Sequence, residues 1–149
     1  MEEVKPLGYL LSRSLRVFKG QVAEEVKKMD FELSLEQYVI LYMINSSCDL
    51  IQQDLANHFQ KDKSLIVRQI NGLIDKQYLV RHTNKVDKRK KNLILTPKGL
   101  EMMNQMTGLV MAVSRKLLTG VSDSDYSTFR SVLNKIQENG GSVEDFLNQ

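Results

Sequence analysis

The sequence holds one cysteine, Cys48, so no disulfide can form within the chain. A lone thiol suits a reducing, cytoplasmic compartment, which is the expected location. Tryptophan is absent, and no apolar run approaches the ~18 residues of a membrane span. No membrane partner is expected. The opening residues Met1-Glu2-Glu3-Val4-Lys5 are acidic rather than basic, and no small-residue cleavage site follows an apolar run, so no secretory leader is expected. The two histidines, His58 and His82, lie far apart, and with one cysteine they do not make a tetrahedral metal site. Glycine-rich phosphate loops and nucleophile motifs are missing. Paired carboxylates such as Glu24-Glu25 read as a solvated helix face. No enzyme activity, no metal and no cofactor are therefore expected.

Proline is nearly absent too, with only Pro6 and Pro97, so long helices are free to form. The 149 residues are 42% hydrophobic and 26% charged, which fits one soluble domain with a real core. The net charge of +3 is small, but its distribution is uneven. Between Arg81 and Lys91, six cations (Arg81, Lys85, Lys88, Arg89, Lys90, Lys91) face only Asp87. That stretch carries +5, and the rest of the chain sums to −2. Focused basic charge is the electrostatic footprint of a phosphate partner. A basic run alone is more often a solvated loop, so its neighbours must decide.

Periodicity supplies those neighbours. Leu7, Leu11, Leu15, Phe18, Val22, Val26 and Met29 step by three and four, which predicts a helix from about Pro6 to Met29. A helix of that length is about 36 Å long and needs a partner surface. Ser34-Leu35-Glu36-Gln37 is a capping box opening a second helix. Its run from Tyr38 to Ile44 is apolar on all sides and belongs in the core. A third helix opens at Asp49 and buries Ile51, Leu55 and Phe59. A fourth spans about Asp62 to Lys76, with Ile66, Ile70, Leu73 and Ile74 inward. Its other face carries Lys63, Ser64, Val67, Arg68, Asn71 and Asp75. Tyr78 to Val80 and Asn92 to Thr96 are short and β-prone, so they read as a hairpin with a long charged tip. Thr96-Pro97 opens a fifth helix with Leu100, Met103, Met106, Val110, Val113 and Leu117 on one stripe. Ser122 opens a sixth, with Tyr126, Phe129, Leu133 and Ile136 on its stripe and Gly140-Gly141 at its end. The tail from Ser142 to Leu147 adds one more helical turn, packing Phe146 and Leu147.

Two short helices joined by Gln60-Lys61 make a helix-turn-helix, and the basic hairpin directly after it makes a wing. The fold class is mainly α with a small β-hairpin. Ser64, Arg68 and Asn71 suit base edges, and Val67 suits a thymine methyl. An arginine or lysine of the wing can enter a narrow minor groove, while others hold phosphates.

This order resembles the MarR family of winged-helix transcription regulators over nearly the whole chain. The most specific match is Asp87-Lys88-Arg89 followed by Leu95-Thr96-Pro97-Lys98-Gly99. Arg81, Gln52-x-x-Leu55-Ala56 and Asp62-Lys63-Ser64 match further family positions. The resemblance implies that Arg89 enters the minor groove and that Asp87 braces the wing through Arg89 or Arg81. It adds Gln52, Lys63, Arg81, Lys85, Lys88 and Lys90 to the DNA-binding set. It also implies a homodimer built from the terminal helices through Leu7, Leu11, Leu15, Phe129, Leu133 and Ile136. The whole chain, residues 1–149, is then one domain. Residues 34–96 form its winged-helix lobe, and 6–30 with 97–149 form the dimerisation helices. Two departures stand out: Gln77 replaces a glycine, so that cap is expected to form differently, and Gly72 replaces a longer, often basic residue.

The implied function is sequence-specific regulation of transcription, as a repressor released by a small aromatic effector. The implied partner is double-stranded DNA carrying a pseudo-palindrome with half-sites about 34–36 Å apart. Met102, Met103, Met106 and Met111 could line an adaptable pocket but more often fill a core. The alternative is a winged-helix adaptor whose wing binds an acidic protein.

Overall fold

A computed structural model describes residues 5–46, residue 55 and residues 63–141. Five helices and one hairpin are found there: α1 (Leu7–Lys28), α2 (Leu35–Ser46), α3 (Lys63–Asp75), β1 (Leu79–Thr83), β2 (Lys91–Leu95), α4 (Pro97–Leu117) and α5 (Asp123–Gly140). The expected helix opening at Asp49, the Asp62 cap and the tail from Ser142 lie outside the described residues. Among the described residues no helix is long and apolar enough to cross a membrane.

Local chemistry sets the helix starts. At α2 the Ser34 hydroxyl accepts from the Gln37 amide at 3.1 Å, and the Gln37 side chain accepts from the Ser34 amide at 3.2 Å. The two bonds satisfy orphan donors reciprocally. Thr96 caps α4 by accepting from the Gly99 amide at 3.0 Å, with Pro97 as the first helical residue. Ser122 caps α5 by accepting from the Asp125 amide at 3.0 Å.

Two helix ends share one device. After α3 the Tyr78 amide donates to Leu73 O and the Gln77 amide to Ile74 O, both at 2.9 Å. After α1 the Phe31 amide donates to Val26 O at 3.1 Å and the Asp30 amide to Lys27 O at 3.3 Å. Both are Schellman motifs, which need a left-handed residue. Gln77 (φ 63°) and Asp30 (φ 53°) fill that role. The α3 cap therefore keeps the usual geometry, and Gln77 carries the strain that a glycine would avoid. That corrects the expectation of a different cap.

The core sits around α2, which packs on α1, α3, α4 and β2. Ile40 and Leu41 of α2, Ile66, Ile70 and Leu73 of α3, and Met106 of α4 are fully enclosed. Two expected stripes are corrected. In α4 Leu100 is exposed and Leu109 is buried, while Val110 is half-buried. In α2 Tyr42 is exposed, so that helix is not enclosed on all sides. Met103 and Met106 are buried and Met102 packs beside them, so these methionines of α4 fill core rather than line a pocket. Only Val22 of α1 is buried, and no residue of α5 is. The outer surfaces of both helices stay open in the single chain.

The hairpin pairs Leu79 with Leu95, Arg81 with Leu93 and Thr83 with Lys91 in antiparallel register. The first strand therefore runs three residues past Val80, and the charged tip shortens to Asn84–Lys90. Leu79 and Leu93 anchor the sheet in the core. The hairpin is locked to α4 at one point. Tyr78 O accepts from the Thr96 amide at 3.0 Å, and Thr96 Oγ1 donates to Gln77 O at 2.6 Å. A Cβ at Gly99 would lie 2.1 Å from Tyr78 O. Backbone cannot yield there, so only glycine fits. A Cβ at Gly72 would instead meet Gln37 Nε2 at 3.7 Å, an ordinary contact facing the start of α2.

The two glycines should therefore respond oppositely to alanine. Gly99→Ala should destabilise the fold by about 2–3 kcal/mol through overpacking. Gly72→Ala should stabilise it by up to about 1 kcal/mol through helix propensity. Urea unfolding of both variants checks this, and equal effects would refute the packing argument.

Candidate nucleic-acid interface

α3 and the hairpin lie side by side, with α3 packed on β1. Ile66, Ile70 and Leu73 turn one face of α3 into the core. The opposite face, at steps of four and three residues, presents Ser64, Arg68 and Asn71 to solvent, with Val67 half-buried between them. These are the residues expected at base edges. Gln52 and the side chain of Lys63 lie outside the described residues. Gln69, on the flank of α3, donates to Glu36 Oε2 at 3.4 Å and ties the helix to α2.

The wing tip is built by two acceptors. Asn84 Oδ1 accepts from the Val86 and Asp87 amides, both at 2.9 Å. Asp87 Oδ1 accepts from the Arg89 amide at 3.0 Å and from Arg89 Nε at 3.2 Å. The Asn84 amide donates to Lys90 O at 3.0 Å, and the Lys90 amide to Asp87 O at 3.0 Å. The tip is thus a closed loop of backbone and side-chain hydrogen bonds. Of the two arginines considered, Asp87 bonds Arg89. Lys85, Lys88, Arg89 and Lys90 all remain exposed, and the Arg89 side chain is 91% accessible. Val86, at the apex, is 97% accessible.

Two contributors, Asn84 and Lys91, and one contact were not among the expected site features. Asn84 organises the tip; an asparagine opening a turn, three residues before Asp87, is the signal that could have found it. Lys91 Nζ donates to Thr83 Oγ1 at 3.0 Å and closes the base of the loop. Asn71 Oδ1 accepts from Arg81 Nη2 at 2.8 Å, which links α3 to the first wing strand. No sequence spacing announces that contact, because the two residues meet only through the turn at Gln77.

Electrostatics agree with this geometry. The Arg89 amide, then its guanidinium, holds the Asp87 carboxyl below its ordinary range, and the Lys90 charge adds to this while partial desolvation opposes it. Asp87 therefore stays ionised wherever the protein is folded near neutrality. Arg89 is held at Nε while the rest of its side chain stays open to solvent.

Comparison with known proteins matches this arrangement. Residues 33–91 match the model of the MarR family. Over that segment the chain is similar to the MarR family. A MarR transcriptional regulator from Methanosarcina mazei superposes with a TM-score of 0.79 at 21% identity, over 90% of this chain and 95% of that one. A cysteine-to-serine mutant of Escherichia coli MarR complexed with operator DNA gives 0.76 at 21% identity, covering 90% and 95%. A Mycobacterium tuberculosis MarR-family protein in complex with salicylic acid gives 0.72 at 24% identity, covering 91% and 99%. At these identities the likeness is one of fold. It extends the MarR-type winged helix from the matched segment to nearly the whole chain.

The depressed carboxyl sets a pH window. Its folded value lies below its unfolded value of about 3.9. The brace is therefore at full strength above that value and is lost as pH falls through the lower folded one. The Arg89 amide resonance should stay unchanged from pH 7 to 5 and move only in acid, together with the Asp87 carboxyl. A midpoint near 6 would refute the assignment.

Proposed function

We propose that this chain is a MarR-family DNA-binding transcriptional regulator that acts as a homodimer on a pseudo-palindromic operator. The observation that carries this is the side-by-side placement of the polar face of α3 and a pre-built, cation-rich wing tip. A helix presents hydrogen-bonding groups to a major groove, and Arg89 reaches the neighbouring minor groove. In this reading Ser64, Val67 and Arg68 meet base edges. Lys85, Lys88 and Lys90 meet phosphates, and Gln52 and Lys63 flank them. The operator complex of the similar E. coli protein supports the same use of the fold.

The dimer follows from surface left open. Leu7 and Leu15 of α1 are 52% and 50% exposed, Leu11 is 38% exposed, and Phe129 of α5 is 51% exposed. Leu133 and Ile136 are only half-buried. Burying such side chains is worth about 1.5–3 kcal/mol each, so a second copy is the natural cover. The terminal helices, residues 6–30 and 97–149, then serve dimerisation, and 34–96 serve DNA.

Release by an effector has a place to act. A cavity of about 750 Å³ lies between α1 and α2, walled by Phe18, Val22, Val26, Leu35 and Val39, with Val110 of α4 closing one side. Lys19 and Lys27 stand at its edge. Apolar walls suit a small aromatic ring, and two lysines against the single carboxylate of Glu36 favour one that carries a carboxylate. The salicylic acid bound to the similar M. tuberculosis protein supports this chemistry. The regulator is then a repressor that loses its operator when the cavity fills.

Selection of genomic fragments by the full chain, followed by binding assays on the enriched duplex, tests the reading. A palindrome should be enriched, and log affinity should fall steeply with log salt, by about 0.9 per phosphate contacted. Arg89→Ala should weaken binding about 10-fold while sedimentation still shows a dimer. Affinity indifferent to both salt and Arg89 would overturn the mechanism.

A further inference from the structure

Asn71 sits on the exposed face of α3 with Ser64 and Arg68, and residue type alone would make it a base reader. Its contacts say otherwise. Asn71 Oδ1 accepts from Arg81 Nη2 at 2.8 Å, a short charge-assisted hydrogen bond. Bidentate reading of adenine needs both the carbonyl and the amide of an asparagine, and here the carbonyl is committed to Arg81. Position argues the same way. Recognition helices read bases mainly with their N-terminal residues. Asn71 lies two turns beyond Ser64, roughly 10.5 Å along the axis.

Arg81 is on β1, paired across the hairpin with Leu93, whose side chain is buried in the core. Arg81 therefore stands where the wing leaves the body of the protein. A bond from there to α3 fixes the angle between wing and recognition helix. This bond ties the hairpin beyond Leu93 to α3, in addition to the hairpin's own ladder.

We infer that Asn71 is a positioning residue: it clasps Arg81 so that the wing and α3 meet the duplex as one rigid unit, and it does not select a base. This assignment rests on the DNA-binding reading above. Sequence selection then falls to Ser64, Val67 and Arg68, with Arg81 presented to the backbone at a fixed angle.

The test is a double-mutant cycle with the full chain on the duplex that genomic selection enriches. Asn71→Ala, Arg81→Ala and the double variant are measured on that duplex and on a set with single base-pair changes. Both residues are exposed, so all three variants should fold with unchanged melting temperature. Each single variant should lose affinity. The double variant should lose no more than the weaker single, a departure from additivity of at least about threefold. The ratio between matched and altered duplexes should stay that of the parent for Asn71→Ala. In the free protein, 15N relaxation should show the Lys85–Lys91 amides more mobile in Asn71→Ala. Asn71→Asp, which keeps the acceptor, should restore their order. Additive losses, or discrimination flattened at one base pair by Asn71→Ala, would make Asn71 a base reader and overturn the clasp. Failure of the parent chain to enrich any duplex would overturn the DNA reading and this assignment with it.

Discussion

One carbonyl joins the two halves of this molecule. Tyr78 O receives the Thr96 amide and leaves no room for a Cβ at Gly99. At that point the end of α3, the start of β1, the end of β2 and the start of α4 converge. The Schellman bond from the Tyr78 amide to Leu73 O fixes the carbonyl's own direction from the α3 side. The Thr96 hydroxyl both caps α4 and holds Gln77 O. The angle at which the wing leaves α3 and the angle at which α4 leaves the wing are therefore set together. The Leu-Thr-Pro-Lys-Gly run is explained by this junction: threonine for two hydrogen bonds, proline for the first helical turn, glycine for contact.

From that junction the hairpin grows outward with little further help from the core. Leu79 and Leu93 are its buried anchors, and the ladder beyond them is solvent-facing. A two-stranded hairpin is marginal alone in water. Its tip must supply its own order, and Asn84 and Asp87 do so by taking backbone amides that a flexible loop would leave to water. The clasp from Arg81 to Asn71 adds a lateral tie to α3. Rigidity at the wing tip thus comes from short-range polar bonds rather than apolar burial.

Much of this was legible from residue order, and the failures have physical causes. The capping boxes and N-caps at Ser34, Thr96 and Ser122 were readable because they depend only on residues three apart. The extent of β1 was not. Arg81, His82 and Thr83 are all exposed, so the strand shows no alternation from which a period could be read. The Gln77 cap was misread because glycine is only the easiest residue for a left-handed position, and a packed helix end imposes that position on glutamine. Stripe positions on α4 slipped by one, Leu109 replacing Val110, because adjacent apolar residues leave helical phase undetermined. The Asn71–Arg81 contact is tertiary, ten residues apart across a turn, and has no local signature.

The same logic separates what holds the wing from what the wing offers. The Asp87–Arg89 ion pair is open to solvent, and exposed pairs contribute little to stability. Asp87 matters through the amide it accepts, with the charge as a secondary aid. Lys85, Lys88 and Lys90 therefore need not be spent on internal neutralisation. If the hairpin were held by ion pairs, its basic charge would be cancelled where it is needed. Because backbone hydrogen bonds and two buried leucines hold it instead, the positive potential stays available at the tip. The high exposure of Arg89 follows from that division of labour.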